Sequence, residues 1–303
     1  MEQFGTTPLL ITTIVLQLLS CCILRSHFCK HNIESNADLH AFNALSSLFS
    51  MGVLAITGFL TDGLPLPSLY TVLLGLVFGV ATALCAVMNM KALEIGPLSY
   101  TTVICSCAML IPALSGRIFW AEPISLSQIF GVAFMLVSFF CSVDRKNDRA
   151  GASFRWLFFC LGTFAFSGAV GVMQKVHQSS PHQSELSSFL VIAFAVSTIF
   201  SLVMSLALHK KKKQPLTVLH ANKRGRFWIV SIVCGIGIAL TNQINMYLAG
   251  AMPSILFFPI FNGVVMLLSI LSGVVLFRER LSAKQWTGLA VGVVATLLLC
   301  GVF

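Results

Sequence analysis

Amide side chains are the residues best equipped to bind another molecule within the long apolar stretches of this sequence. Asn89 and Asn245 are the strongest pair, because each lies inside such a stretch and each recurs at the same place in a repeated pattern. A polar group inside an apolar helix is costly unless it bonds a ligand or a neighbouring helix. Two interpretations stay open here: the amides bind a solute, or they hold helices together.

Other amides extend this set of candidates. Asn242 shares the helical face of Asn245. Asn262 is well placed, because it follows Pro259 by three residues. Weaker candidates are Gln17, Asn43 and Gln174, the last of which is followed by Lys175.

Two prolines interrupt apolar stretches that are otherwise helical. Pro112 and Pro259 each remove a backbone hydrogen bond, which tends to kink the helix and frees a carbonyl group. Paired proline-interrupted helices are typical of the substrate sites of membrane carriers. We therefore expect both prolines to kink or gate a pathway, with a static kink that improves packing as the alternative.

Ionisable side chains are scarce in the same stretches. No Asp or Glu falls inside the membrane spans defined below, and all seven histidines lie in or beside loops. Glu94, Glu122 and Glu279 stand at corners, where the expected role is to cap a helix N-terminus or to form a hydrogen bond at the level of the lipid headgroups. Proton coupling through a buried carboxylate therefore has no carrier here. The ten cysteines show no paired spacing typical of zinc, and we expect no metal or other cofactor.

The elements that position these residues are apolar helices long enough to cross a bilayer. Hydrophobic residues make up 57% of the 303 residues and charged residues only 10%, against about 25% charged in soluble proteins. Ten stretches have the roughly 17–25 residues that a membrane helix needs. They are 8–24, 39–60, 69–90, 98–119, 126–143, 154–173, 188–208, 227–247, 254–277 and 285–302. The sequence therefore predicts an all-α, ten-span membrane protein.

The distribution of positive charge orients these spans. Odd-numbered loops carry 17 of the 19 Lys and Arg residues, and the even loops and both tails carry only Arg117 and Lys175. Since basic loops stay in the cytoplasm, we expect cytoplasmic odd loops, both termini outside, and a bacterial-type inner (plasma) membrane. The net charge of +9 thus reflects topology, and we expect no nucleic-acid partner.

Two blocks of the sequence recur at a fixed separation. Gly79-x3-Ala83-Leu84-x4-Asn89-Met90-x6-Pro97 repeats 156 residues later, with Asn245 in the place of Asn89. Ser115-Gly116-x5-Glu122-x2-Ser125-x2-Gln128-x2-Gly131 repeats 157 residues later, beginning at Ser272. We interpret residues 1–145 and 146–303 as two copies of a five-span unit. Because five is odd, the second copy is inverted relative to the first.

The corners of the two copies resemble those of a known family. Ala92-Leu93-Glu94-Ile95-Gly96-Pro97, Trp120-Ala121-Glu122-Pro123-Ile124-Ser125 and Phe277-Arg278-Glu279-Arg280-Leu281-Ser282 are similar to the turns of the drug/metabolite transporter superfamily, specifically its ten-span EamA-like branch. The resemblance implies a central cavity lined chiefly by spans 1, 3, 4, 6, 8 and 9. It also implies small organic substrates, such as amino acids, metabolites or drugs, that are mostly exported.

The sequence therefore favours a secondary transporter that works by alternating access, with the lipid bilayer and a small solute as its partners. We expect an otherwise apolar cavity wall from Tyr100, Met109, Phe257 and Phe258. Small-xxx-small spacings indicate packing seams within the monomer or at a homodimer face. A channel or structural membrane subunit is the alternative. A membrane enzyme is less favoured, because the sequence contains no HExxH and no GxSxG with a credible catalytic partner.

Overall fold

The computed structural model describes residues 3–61, 63–95, 101, 104–141, 154–212, 221–277 and 282–300. Within these ranges the chain is almost entirely helical and forms no strand. The α-helices are α1 (Gln3–Leu16), α2 (Arg25–Asn32), α3 (Asn36–Thr61), α4 (Leu69–Ile95), α5 (Leu110–Trp120), α6 (Leu126–Cys141), α7 (Phe154–Gln178), α8 (Leu186–Lys212), α9 (Ala221–Ala251), α10 (Ser254–Phe277) and α11 (Ala283–Leu299). A π-helical segment, Gln17–Leu24, joins α1 to α2, and 3-10 turns at Cys107–Met109 and Gln183–Glu185 precede α5 and α8.

Helices of membrane-spanning length dominate the described part of the chain. Seven stretches there are long and apolar enough to cross a membrane: Gly5–Cys29, Asn36–Thr61, Leu69–Ala92, Phe154–Gln178, Gln183–Lys210, Gly225–Ala251 and Ser254–Ser272. Three shorter apolar helices, Ile104–Trp120, Leu126–Cys141 and Ala283–Leu299, overlap the predicted spans 4, 5 and 10. The protein is therefore an all-α, multi-pass membrane protein, as its composition predicts.

Large apolar side chains on the surface agree with this assignment. Phe59, Ile118 and Phe154 expose 70%, 73% and 87% of their area. Soluble monomers rarely present extended apolar surface, because its contact with water is unfavourable. In a membrane protein the same side chains meet lipid, which matches them in polarity.

Several helices extend beyond the predicted spans, which corrects the placement of ionisable residues. α3 begins at Asn36 rather than at residue 39, so the fully buried Asp38 lies in its first turn. α7 runs to Gln178 rather than to residue 173, and it includes the buried Lys175 and His177. The predictions that spans contain no acidic residue and that all histidines lie in or beside loops are therefore wrong for Asp38 and His177. Hydropathy marks only the apolar middle of a helix, whereas backbone hydrogen bonding continues it into polar residues.

The helices form two compact units, and each unit draws on both halves of the sequence. Unit 1 comprises Met1–Ala83 and His177–Tyr247, and unit 2 comprises Leu84–Val176 and Leu248–Phe303. The predicted division into residues 1–145 and 146–303 concerns duplicated sequence rather than these spatial units. It stays a prediction.

In unit 1 the most extensive helix contact is between α3 and α8. The start of α3 meets the end of α8, since the Ser205 hydroxyl donates to the Ala37 carbonyl at 2.9 Å. The end of α3 meets the start of α8, because Gly58 packs directly against Ser187. The two helices are therefore antiparallel.

In unit 2 the corresponding contact is between α6 and α11. Gly131, near the start of α6, packs against Ala295, near the end of α11. Gly288, near the start of α11, packs against Ser138, near the end of α6, and the Ser138 hydroxyl donates to the Gly288 carbonyl at 2.6 Å. These helices are antiparallel as well, and their glycines allow the backbones to approach closely.

The same N-terminal cap begins α6 and α11. The backbone N–H of Ser125 donates to the Gln128 side chain at 2.9 Å, and the N–H of Gln128 donates to the Ser125 hydroxyl at 3.3 Å. Ser282 and Gln285 make the identical pair of bonds at 2.9 and 3.4 Å. This reciprocal capping box satisfies backbone donors that a helix start leaves unpaired. It explains why the Ser-x2-Gln spacing recurs in the sequence.

Candidate functional site

Asn245 of α9 bonds the first helix. Its side-chain oxygen accepts a hydrogen bond from the Thr13 hydroxyl at 2.9 Å, and the same hydroxyl lies 3.4 Å from the Thr241 carbonyl. Asn245 is 9% exposed. An interhelical bond of this kind stabilises a membrane protein by about 0.6 kcal/mol on average. For Asn245 the contact observed is thus the one expected of a residue that holds helices together.

Gln17 and Asn242 lie close in sequence to Thr13 and Asn245, respectively, and among the described residues neither of them bonds another helix. Gln17 is one helical turn after Thr13, at the first residue of the π-helical segment. It is half-buried and bonds none of the residues that the structure describes. Asn242 is also half-buried, and its amide nitrogen donates only to the Ile238 carbonyl of its own helix at 2.9 Å. Both amides can therefore bind a further polar group.

Asn89 of α4, the counterpart of Asn245 in the sequence, has a weaker partner. Its side-chain oxygen accepts from the Cys105 thiol, with 3.7 Å between sulfur and oxygen. A thiol is a weak donor, so this half-buried amide keeps most of its bonding capacity. Asn89 and Asn245 thus differ in the strength of the hydrogen bond that each forms with the protein.

Asn262 of α10 stands out by its exposure. Between Ser254 and Ser272 every residue of this helix is buried or half-buried except Asn262. Its amide nitrogen donates to the Phe258 carbonyl at 2.8 Å, which leaves the amide oxygen open. A helix facing lipid exposes a stripe of apolar side chains, whereas this one exposes a single amide. Such an isolated polar opening indicates a polar space rather than lipid.

The two prolines occupy different helical environments. Pro259 lies inside α10, which continues past it to Phe277. Pro112 is buried in the first turn of α5, directly after the 3-10 turn, and it packs against Gly171 of α7. The interruption predicted in span 4 is therefore present as a change of helix type. A gating role for either proline stays a prediction.

The remaining predicted amides are separated from these. Asn43 of α3 accepts a hydrogen bond from the Arg25 guanidinium at 2.8 Å, which ties α3 to α2. Gln174 of α7 is 8% exposed and bonds no residue of the described ranges. A buried amide without a protein partner retains its full capacity to bind a polar ligand.

A buried ion pair lies beside Gln174 in sequence and was not predicted. The Lys175 ammonium is 2.8 Å from a Glu122 carboxylate oxygen, and the two side chains expose only 7% and 13% of their area. Lys175 also donates to the Met252 carbonyl at 3.1 Å. The charge distribution of the sequence could have indicated that Lys175 is unusual, because it is one of only two basic residues outside the odd-numbered loops.

The Glu122 carboxylate also caps α10, which confirms its expected role as a helix cap. It accepts from the Ser254 backbone N–H at 2.7 Å and lies 3.5 Å from the Ser254 hydroxyl. Ala121, with a φ of 51°, turns the chain back at the end of α5, and Gly116 leaves room for the carboxylate. The Ser-Gly-x5-Glu spacing is therefore the sequence of this turn. Of the other predicted caps, Glu94 lies in the last turn of α4 with a side chain that the structure does not describe, and Glu279 lies outside the described residues.

A second carboxylate cap lies in unit 1. Glu185 accepts from the Ser68 backbone N–H at 2.8 Å and from the Ser68 hydroxyl at 2.9 Å, directly before α4 begins. His182 pairs with the other Glu185 oxygen at 3.1 Å. The sequence offered no sign of this cluster, because its members come from separate loops.

The predicted apolar cavity wall is not observed as an open surface. Met109, Phe257 and Phe258 expose 4%, 1% and 5% of their area, and Phe258 packs beside Gly171. That prediction is wrong for these three residues in this conformation, because their side chains are buried in the protein. Tyr100 lies outside the described ranges.

Comparison with known proteins supports the fold and goes no further. No protein-family model matches the sequence, and no curated protein matches it. Among solved structures the chain is similar to the crystal structure of another protein, with a TM-score of 0.73. The likeness covers 99% of each chain at 16% sequence identity. The fold is therefore shared from end to end with a protein of very different sequence.

Proposed function

We propose that the protein is a carrier that moves a small organic solute across the membrane by alternating access between two inverted repeats of five spans each. Reciprocal contacts between equivalent helices are the observation that carries this proposal. Where an internal two-fold axis relates two repeats, residue i of one meets residue j of the other, and the equivalents of i and j meet in turn.

The pair α6 and α11 obeys this rule at the sequence offset of 157. Gly131 and Ser138 have Gly288 and Ala295 as their equivalents. A methyl group on Gly131 would lie 3.1 Å from the Ala295 carbonyl oxygen, and one on Gly288 would lie 3.0 Å from the Ser138 carbonyl oxygen. The two contacts therefore match each other in the way that an internal two-fold axis would require.

The glycines of α4 and α9 give a second, independent case at the offset of 156. A methyl group on Gly79 would lie 2.9 Å from the Ala193 carbonyl oxygen, and one on Gly235 would lie 2.8 Å from the Ser46 carbonyl oxygen. In both cases the added methyl group would also lie 2.7 Å from the β-carbon of the residue three positions further along the partner helix, which is Val196 for Gly79 and Phe49 for Gly235. Ser46 and Ala193 differ by 147 residues, and these matching contacts support the proposal that α3 and α8 are equivalent helices.

The direction of the helices supports inversion as well as duplication. Both α3 with α8 and α6 with α11 run antiparallel, as equivalent helices do when an odd number of spans turns the second repeat over. The offset rises from 147 to 156 between these positions, so the second repeat has nine extra residues between α8 and α9. The basic run Lys210–Lys213 falls between the same two positions of the sequence, as expected at a cytoplasmic helix end.

Amides without strong protein partners are the groups through which a solute would bind. Unit 1 offers Gln17 and Asn242, and unit 2 offers Asn89 and Asn262. Amides bind groups that both donate and accept hydrogen bonds, which suits an amino acid, a metabolite or a drug better than a multiply charged solute. The resemblance to EamA-like transporters favours export, and the charge distribution favours a plasma membrane with cytoplasmic odd loops.

Uptake into proteoliposomes tests this function directly. Purified protein is reconstituted and challenged with labelled amino acids, nucleobases and lipophilic cations, with protein-free liposomes as the blank. We expect saturable uptake of at least one solute class, and a loss of at least tenfold in Asn262→Leu, because leucine removes the exposed amide. Asn262→Gln is the matched control, since it keeps the amide and should keep a measurable part of the activity.

Wild-type rates in a well-folded Asn262→Leu protein would remove Asn262 from the site. An absence of saturable uptake for every solute class would contradict the carrier.

A further inference from the structure

A continuous row of polar groups in unit 1 connects the surface to a buried histidine. It begins at His182, whose side chain is 39% exposed and whose Nδ1 lies 3.1 Å from a Glu185 oxygen. The other Glu185 oxygen accepts from the Ser68 hydroxyl at 2.9 Å. Glu185 thus joins an accessible titratable group to hydroxyl groups further inside.

The row continues without a gap to the end of α7. The Ser68 and Thr71 hydroxyls lie 3.2 Å apart, so Ser68 connects Thr71 to Glu185. Thr71 is fully buried, and its hydroxyl lies 3.4 Å from Nε2 of His177. The Gln178 side-chain amide lies 3.2 Å from the other ring nitrogen of His177. Every step is therefore short enough for hydrogen bonding.

His177 occupies a closed environment at the inner end. It is 0% exposed, and its ring packs 4.5 Å from the ring of Phe189 in α8. The titratable groups that face it, among the residues described, are Glu185 and His182. α4 contributes the uncharged Thr71 and α8 the uncharged Phe189. A proton on His177 can therefore leave only by way of polar neighbours, and Glu185 is the acceptor they lead to.

We propose that His177 binds the coupling proton of the carrier and exchanges it with the surface through Thr71, Ser68, Glu185 and His182. The inference rests on the proposed transport function and names its coupling ion. On release, Nε2 of the cationic ring gives its proton to the Thr71 oxygen, Thr71 passes its own proton to the Ser68 oxygen, and Ser68 passes its own to Glu185. Glu185 hands that proton to His182 and so to water. His177 is left neutral, Glu185 is ionised again, and one proton has moved.

Two flux measurements on the same proteoliposomes test this assignment. Counterflow follows the exchange of a labelled solute against the same unlabelled solute and needs no proton movement. Gradient-driven flux follows that solute under an imposed pH difference. We expect the ratio of gradient-driven flux to counterflow to fall at least tenfold in His177→Gln and in Thr71→Val. His209→Gln is the matched control, since this exposed histidine stands outside the row, and its ratio should equal that of the wild type.

Each outcome has a distinct meaning. A wild-type ratio in both variants would overturn proton coupling at His177 and leave the carrier intact. A wild-type protein that shows counterflow but no solute flux driven by an imposed pH difference would do the same. A wild-type protein with no counterflow for any solute class would overturn the carrier and the coupling together. Thr71→Val keeps the shape of the side chain, so a folding failure of His177→Gln alone still leaves a decisive variant.

Discussion

Unit 1 and unit 2 each contain one carboxylate that caps a helix from a distance, and the two differ in the base that accompanies it. Glu185 binds the backbone N–H and hydroxyl of Ser68 at the start of α4. Glu122 binds the backbone N–H of Ser254 at the start of α10, and the hydroxyl lies at 3.5 Å. Glu185 pairs with His182, which is 39% exposed, whereas Glu122 pairs with Lys175, which is 7% exposed.

This difference separates a switchable connection from a fixed one. The two ring nitrogens of an imidazole can take up and release protons, whereas a lysine ammonium only donates hydrogen bonds. The Glu185 cluster can therefore pass protons between its carboxylate and solvent while its helix cap persists. The Glu122 cluster instead ties the corner after α5, the end of α7 and the start of α10 together.

The largest expected effect is from removing the charge of Glu122. Glu122→Gln leaves the Lys175 ammonium buried without a counter-charge, and loss of one partner of a buried pair costs about 3–5 kcal/mol. We expect that loss in the free energy of unfolding, measured by denaturant titration in detergent. The double variant Glu122→Gln with Lys175→Met should recover most of it. Equal losses in the single and double variants would show that the cap, and not the ion pair, provides the stability.

A smaller effect is expected from the glycine beneath the Glu122 carboxylate. Gly116→Ala places a methyl group where the carboxylate now lies and within 2.8 Å of the Ser254 β-carbon, so the turn must shift. Overpacking of this kind costs about 1–3 kcal/mol. Gly52→Ala in α3 is the matched control, because its new methyl group would meet nothing within 4 Å. If Gly116→Ala and Gly52→Ala had the same unfolding midpoint, that result would contradict this packing.

The smallest effect is expected at Glu185. Glu185→Gln keeps an acceptor for Ser68 but loses the charge-assisted bond to His182, whose side chain is 39% exposed, at a cost of about 1 kcal/mol in the free energy of unfolding. Denaturant titration in detergent compares this variant with Glu122→Gln, whose cost should be several times larger. Equal costs for the two variants would contradict the difference between the two clusters.

The sequence predicted features that depend on periodicity and spacing. Apolar length and composition predicted a helical membrane protein, and the recurring Ser-x2-Gln spacing corresponds to capping boxes at Ser125 and Ser282. The corner position of Glu122 predicted a helix cap, although the helix that it caps begins 132 residues later, at Ser254. The apolar lengths and the capping boxes depend on residues close together in the chain, so spacing alone carries that information.

Contacts between distant segments could not be predicted in this way. The partner of Asn245 is Thr13, and that of Glu122 is Lys175; nothing in the local sequence of either residue identifies its partner. Hydropathy also placed the end of α7 too early, which removed His177 from consideration. Burial in a membrane helix depends on neighbouring helices, and their positions follow from the whole fold.

Trans-stimulation in proteoliposomes tests the central claim most directly. Liposomes containing the wild-type protein are loaded with a labelled solute that the protein takes up, and its efflux is followed with and without the same unlabelled solute outside. A carrier that alternates between two inverted halves returns faster when loaded, so we expect external solute to accelerate efflux several-fold and to saturate. Efflux that rises linearly with concentration and ignores the external solute would identify a channel and contradict the account.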